Sequence, residues 1–386
     1  MIKSEVEVFF IKKYRSKPIL VKAPGRVNLI GEHTDYNLGY VLPASIEKGI
    51  YFAAQKNNTG KINIEAFLTQ PEQIVFALDG SHQPFRSFWG KYFKAILEIL
   101  LEKDCPLIGF DCVFGGDIPI GAGLSSSAAL CCGFIHALTE LGDFEIAKKD
   151  IALIAQKAEH KIGLNCGLMD QYAVLFGKKG NALFLDCKDI SREYVPINFE
   201  GYSWVLINSN ITHNLAVDSE YNKRRNSCEL VVGKVANFKN NVDSLRDISF
   251  EDLEKIKRLV SPTDYKRAGY VLAENERVIR MIDALEKGDA KQSGAILLEG
   301  HWAMSTEYEI TTDEIDILVS AGQKLEGVMG SRMMGGGFGG CTINLMKTKL
   351  IETHSKAILA TYKKETGIDA EVYHLKIDDG VRTLAH

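Results

Sequence analysis

Gly115–Leu130, GGDIPIGAGLSSSAAL, closes a strand-like run, turns through Gly121 and Gly123, and then offers Ser125, Ser126 and Ser127 where a helix should begin. Glycine takes positive φ freely and lets a backbone approach a ligand, while the free N–H groups and dipole at a helix N-terminus favour an anion. The stretch reads as an anion cradle over Gly121, Ala122, Gly123, Leu124, Ser125, Ser126 and Ser127, or more simply as a glycine turn with a serine N-cap. Neither standard nucleotide motif fits. Gly116–Ala122 spells G-x-x-x-x-G-A without the Walker lysine, and Gly121–Ser126 spells G-x-G-x-x-S without the third glycine. A phosphate bound here would need a metal ion to supply the missing charge.

Working outward, Pro24–Gly39, PGRVNLIGEHTDYNLG, packs Arg26, Glu32, His33 and Asp35 into ten residues beside three glycines. Carboxylates at this density can hold vicinal hydroxyls or a metal, or can form a solvated charged turn. On the other side, Glu159–Gln171, EHKIGLNCGLMDQ, places Asp170 among Leu168, Met169, Tyr172 and Val174. An acid in such apolar company needs a partner or a task, unless it caps a helix. Met329–Cys341, MGSRMMGGGFGGC, holds five glycines in six residues and is either a hinge or a backbone pressed against something bulky. Arg332 before it is open to either a solvated or a paired role. Trp89 and Tyr92, on a helix expected over Phe88–Lys103, fit core packing better than a ligand platform, and Trp89 is kept as a secondary candidate.

The remaining pattern is α+β. A helical face at residues 2–14 precedes strands near Ile19–Val21, Gly49–Ala54, Lys61–Phe67 and Gln73–Leu78, followed by helices over Phe88–Lys103, Ser125–Leu141 and Ile146–Lys161. Strands at Ala182–Asp186 and Trp204–Asn208 then lead into a helix-rich stretch from Val217 to Glu326, and strand returns at Thr342–Met346 and Val372–Lys376. With 386 residues and 46% apolar content, two domains are expected, 1–200 and 201–386, joined by a short connection. A formal charge of −4 lacks the basic excess of a nucleic-acid binder, which leaves a small molecule as the default partner. Without an 18-residue apolar run or a secretory-type N-terminus, we expect a soluble, unexported, cytoplasmic monomer with no membrane partner. Eight dispersed cysteines without C-x-x-C fit reduced buried thiols rather than a disulfide or zinc framework.

Taken in order, these motifs resemble the galactokinases of the GHMP sugar and metabolite kinases, from about Pro24 to Met346. GRVNLIGEHTDYN at Gly25–Asn37 looks like the sugar signature of that branch, PIGAGLSSSAAL at Pro119–Leu130 and GGGFGGC at Gly335–Cys341 like the second and third superfamily motifs, and NCGLMDQY and SEYNKRR like further family segments. The resemblance implies a two-lobed GHMP fold with mixed and antiparallel sheets and the active site in the cleft between lobes. It implies ATP-dependent phosphorylation of the galactose C1 hydroxyl, the first step of galactose catabolism, with Mg²⁺ as cofactor. Asp170 becomes the catalytic acid with Arg26 beside it, while Glu32, His33, Asp35, Gly167 and Tyr221 hold the sugar. Ser127 and Glu159 take the metal, and the nucleotide lies over Gly121–Ser127 with its base near Trp89. Two hard oxygens suit a cation that keeps its waters and phosphate ligands, and would account for the missing Walker lysine. Ala122 and Met334 depart from the usual pattern, the latter bearing on affinity through the third loop. N-acetylgalactosamine, galacturonate and arabinose kinases share this architecture. A catalytically silent sugar and ATP sensor is the alternative of another class, against which the intact Ser127-Ala128 pair and Asp170 speak.

Overall fold

Side chains alternate sides along the strands Ile19–Asn28, Pro43–Lys56 and Phe110–Gly116, as the pleat requires. Val21, Phe52 and Phe114, aligned across the three, enter one apolar cluster, whereas their neighbours Leu20, Ala53 and Val113 enter another. The first face packs under the helix Ser126–Leu141, flanked by Phe88–Glu102 and Lys148–Lys161; the second is covered by Ile2–Tyr14. The computed structural model describes residues 2–67, 72–119, 121–142, 144–211 and 216–385, without the side chains of 216–219. Ile120 of the glycine loop and the Ser219 side chain of SEYNKRR lie outside the described residues.

Among the described residues, a six-stranded sheet runs Arg382–Thr383, Ile19–Asn28, Pro43–Lys56, Phe110–Gly116, Lys61–Ala66, Gln73–Ala77. It is mixed, because Lys61–Ala66 pairs in parallel with Phe110–Gly116 while its other ladders are antiparallel. An antiparallel four-stranded sheet runs Val328–Met333, Cys341–Lys347, Tyr202–Asn208, Glu371–His374. A three-stranded sheet joins Tyr40–Val41, Asn181–Asp186 and Arg192–Pro196. The expected α+β class with mixed and antiparallel sheets is therefore what the chain adopts. Helices Ala216–Ala236, Pro262–Glu286, Ala290–Ala303 and Asp313–Gln323 fill the helix-rich stretch. The longest starts where local chemistry dictates: the Ser261 hydroxyl accepts from the Asp264 N–H and Pro262 opens the first turn.

Two departures from the sequence reading bear on the site. Pro24 to Asn28, beyond the strand expected near Ile19–Val21, continue the first strand through a bulge between Pro24 and Arg26, a place that tolerates proline in a sheet. Of Met329–Cys341, read as either a hinge or a backbone pressed against something bulky, the first part belongs to a strand, Val328–Met333, buried against the helix Ala290–Ala303. The helix Ile351–Thr366 and the strand Arg192–Pro196 are further additions.

Candidate active site

The bulge bends the first strand where it meets the glycine loop. A Cβ at Gly25 would stand 2.8 Å from the Leu124 carbonyl oxygen, so only glycine fits, and the Arg26 N–H donates to that same oxygen at 3.1 Å. Arg26 is thereby delivered to Asp170: Nε donates to Oδ1 at 2.7 Å and Nη2 to Oδ2 at 3.0 Å, while Nη1 donates to the Gly123 carbonyl at 2.5 Å. The Ser125 hydroxyl donates to Asp170 Oδ2 as well. Asp170 sits in the first turn of the helix Met169–Phe176, but Leu168 occupies the N-cap. Its partner is a bidentate guanidinium, the strongest and most directional mate a carboxylate has.

The glycine loop follows its sequence closely. Gly121 and Gly123 take φ of +74° and +71°, and Ser125 joins them at +57°. Because the Ser125 hydroxyl is committed to Asp170, no side chain caps the helix Ser126–Leu141, and its first N–H groups are open to an anion. Ala122 keeps negative φ, with its methyl buried among Leu124 and Met334, so alanine is compatible here. The third motif meets this loop at ordinary contact distance but presses its backbone elsewhere: a Cβ at Gly337 would lie 2.6 Å from the Ile310 oxygen, and one at Gly339 would lie 2.7 Å from that of Ile211. The glycine run is thus a close approach rather than a hinge. Met334 is 1% exposed in an apolar cluster, away from the cavity wall.

A cavity of about 290 Å³ opens in front of Arg26 and Asp170. Glu32, His33, Asp35, Gly167, Tyr221, Ser127 and Glu159 all stand on its wall, with Gly335 and Gly336. Gly121, Ala122, Gly123, Leu124, Ser125 and Ser126 do not line it, and Trp89 packs edge-on against Phe93 and Phe114 instead, with ring centroids 5.5 and 5.0 Å away.

The carboxylates are tuned differently. Burial, reinforced by the Asp170 charge, pushes Asp35 up to about 6, against N–H bonds from Tyr36 and Met169 that favour the ionised form. Burial pushes Glu32 up to about 7; it is bonded by Arg332, by Asn28 Nδ2 at 3.0 Å and by the Gly335 N–H at 3.3 Å. Arg332 also donates to Glu274 at 2.9 Å. Burial opposes ionisation of Glu274, but Arg332 and Arg277 bring it down to about 2. His33 is pushed down to about 4 by burial.

Glu159 and Ser127 supply two adjacent hard oxygens. The Ser127 hydroxyl bonds the Glu159 carboxylate, Gln171 Nε2 donates to it, and burial raises Glu159 to about 7. Among the described residues no group of three or more His, Cys, Asp or Glu is arranged for a metal. A cation here would complete its shell with water and phosphate oxygens, the habit of Mg²⁺, and would offset the desolvation that holds Glu159 near neutrality.

Sequence reasoning missed Glu274, Tyr36, Tyr308 and the wall residues Asn165 and Asn222. One signal existed for Glu274: on Pro262–Glu286 it shares the buried stripe of Tyr270, Val271, Val278 and Met281, where a charge needs a reason.

Known proteins bear directly on this geometry. Residues 9–56 match the galactokinase galactose-binding signature, 91–178 the GHMP kinase N-terminal domain and 281–353 the GHMP kinase C-terminal model. The galactokinase of Fusobacterium nucleatum is 36% identical over 384 residues, covering 98% of each chain. The chain belongs to the galactokinase family. Members of this family are sugar kinases within the GHMP superfamily. The galactokinase of Clostridium beijerinckii is 35% identical, covering 100% of this chain and 98% of its own. The crystal structure of Lactococcus lactis galactokinase complexed with galactose superposes with a TM-score of 0.93 at 32% identity, covering both chains fully. Methanococcus jannaschii mevalonate kinase, at a TM-score of 0.65 and 16% identity over 95% of this chain and all of its own, shares the fold. No helix among the described residues is long and apolar enough to cross a membrane.

Proposed function

We propose that the chain transfers the γ-phosphoryl group of ATP to the C1 hydroxyl of galactose, opening galactose catabolism as a monomer in the cytoplasm, with residues 1–200 and 201–386 as the two lobes. The observation that carries this reading is the single cavity wall on which a guanidinium-clamped Asp170 stands between buried sugar-type carboxylates and the glycine-loop helix. Phosphoryl transfer needs alignment, charge neutralisation and a route for one proton.

Asp170 accepts the C1 hydroxyl proton or its hydrogen bond. Three groups on two elements, Arg26 Nε, Arg26 Nη2 and Ser125 Oγ, fix its carboxylate, so the nucleophile is oriented before any proton moves. Arg26 also faces the transferring group with positive charge. Asp35, Glu32, His33, Gly167 and Tyr221 bind the sugar hydroxyls, and the sequence Gly121–Ser127 holds the phosphates through backbone N–H groups, with Trp89 beside the base. Ser127 and Glu159 would hold Mg²⁺, which when bound neutralises phosphate charge. A coupled ADP-release assay with ATP and Mg²⁺ tests this against galactose, glucose, N-acetylgalactosamine, galacturonate and arabinose, with the product identified by NMR. Galactose-dependent release giving the 1-phosphate is expected. Preference for another of the five would move the substrate, and silence with all five would reject the kinase reading.

A further inference from the structure

A file of hydrogen-bonded side chains runs inward from the cavity wall. His33 Nε2 lies 3.2 Å from the Gly336 carbonyl oxygen and Nδ1 lies 2.7 Å from the Tyr36 hydroxyl. Tyr36 meets the Tyr308 hydroxyl at 2.8 Å, Tyr308 meets Cys228 Sγ at 3.5 Å, and Asn37 Nδ2 reaches the same sulfur at 3.6 Å.

The directions of these bonds can be worked out. A carbonyl only accepts, so His33 Nε2 carries hydrogen. Burial depresses the imidazole to about 4, so the ring is neutral at pH 7 and Nδ1 is an acceptor. Tyr36 must then donate to Nδ1. Its single hydrogen committed, Tyr36 accepts from Tyr308, which accepts from the Cys228 thiol, whose sulfur takes the Asn37 amide N–H. Each hydroxyl hydrogen is used once and the file closes without conflict.

Packing holds the file in place. Tyr308 is fully buried, ends the π-helical turn Met304–Tyr308 and stacks on Tyr270 at 4.4 Å. His33 itself sits at φ +63°, a conformation retained where Asn37 Nδ2 grips its carbonyl at 2.8 Å.

We infer that the Gly336 carbonyl fixes His33 as the Nε2–H tautomer and that Tyr36, braced by Tyr308, is a positioning residue that holds the ring by its Nδ1, so that at the cavity His33 donates to a sugar oxygen and cannot accept from one. This deepens the proposed sugar-kinase reading and rests on it. An incoming hydroxyl oxygen shares or replaces the Gly336 carbonyl as acceptor, and a substituent presenting only a donor at that point is refused.

The test begins without substrate and without substitution. Long-range ¹H–¹⁵N correlation on the histidine-labelled full chain, with His33 assigned by its loss in His33→Asn, should show hydrogen on Nε2. Hydrogen on Nδ1 would overturn the file while leaving the kinase reading untouched. Tyr36→Phe should then keep hydrogen on Nε2, which the Gly336 carbonyl still requires, but free the ring at Nδ1 and raise the sugar KM about tenfold, with kcat and the ATP KM within about twofold of wild type. Tyr308→Phe, which leaves Tyr36 its hydrogen, should keep the tautomer and raise the sugar KM less; it carries the kinetic test if Tyr36→Phe fails to fold. A folded Tyr36→Phe with an unmoved sugar KM would overturn the positioning role and with it the place of His33 in the sugar pocket.

Discussion

Gly167→Ala tests the sugar side of the cavity through one methyl group. A Cβ at Gly167 would overlap the Asp35 carboxylate and stand 2.9 Å from the Asp35 Cβ, with no positive φ to confuse the reading. Carbon atoms settle at about 3.5 Å or more, so the Asp35 carboxyl carbon, which lies nearer still to the added Cβ, must retreat by roughly 1.2 Å, out of line with the N–H groups of Tyr36 and Met169 that hold it. Overpacking of this kind costs about 1–3 kcal/mol. Felt mainly at the sugar hydroxyls proposed for Asp35, that becomes a rise in sugar KM of about 5- to 150-fold, with the ATP KM unchanged. Steady-state kinetics with each substrate varied in turn, beside a thermal melt, reads the effect. A double-mutant cycle sharpens it: in an Asp35→Gly background, which removes the Cβ as well as the carboxylate, the clash has no target, so Gly167→Ala should add little further loss. A sugar KM within twofold of wild type, or losses that simply add, would refute the reasoning.

Asp170→Asn should lower turnover by about 10²- to 10⁴-fold while nucleotide affinity, measured by calorimetry, persists; near wild-type turnover would remove Asp170 from its role. Glu159→Gln should raise the Mg²⁺ needed for half-maximal rate, and an identical Mg²⁺ titration would reject that ligand assignment. Because the folded-state value of Asp35 is raised from 3.8 to about 6, it keeps its proton on folding between those pH values. Wild type should therefore lose stability relative to Asp35→Asn as pH rises from about 4 to 6, while the sugar KM rises as pH falls through about 6; paired melts and kinetics check both signs. Arg332→Met would strip the buried Glu32 carboxylate of its guanidinium and leave Glu274 with Arg277 alone, and urea unfolding should show a loss of about 3–5 kcal/mol, against which an unchanged midpoint would count.

The glycine loop, its helix start and the odd acid at Asp170 were legible because each is local: positive φ at Gly121 and Gly123, and a carboxylate among apolar neighbours, are stated by adjacent residues. What pairs with what was not. Arg26 and Asp170 are 144 positions apart and Glu32 and Arg332 are 300 apart, distances over which no periodicity speaks. The strand through Pro24 and Gly25 was hidden because proline and glycine read as breakers, and only the bulge and the nearby Leu124 carbonyl explain them. Arg332 could not be told from a solvated arginine until two carboxylates, Glu32 and Glu274, were seen on one of its nitrogens.

The strand Arg382–Thr383 borders the six-stranded sheet, and Lys22 reaches Asp378 across 356 intervening steps of chain. A ribosome adding about 5–20 residues per second needs roughly 18–70 s to cover that interval. Throughout it the outer rim of Ile19–Asn28 offers unmatched amide and carbonyl groups to any passing extended segment, the hazard an open rim carries. The nascent polypeptide therefore has a window of vulnerability whose length is set by translation speed, and it closes at Val21 and Lys22 when Arg382–Thr383 arrives to pair with them.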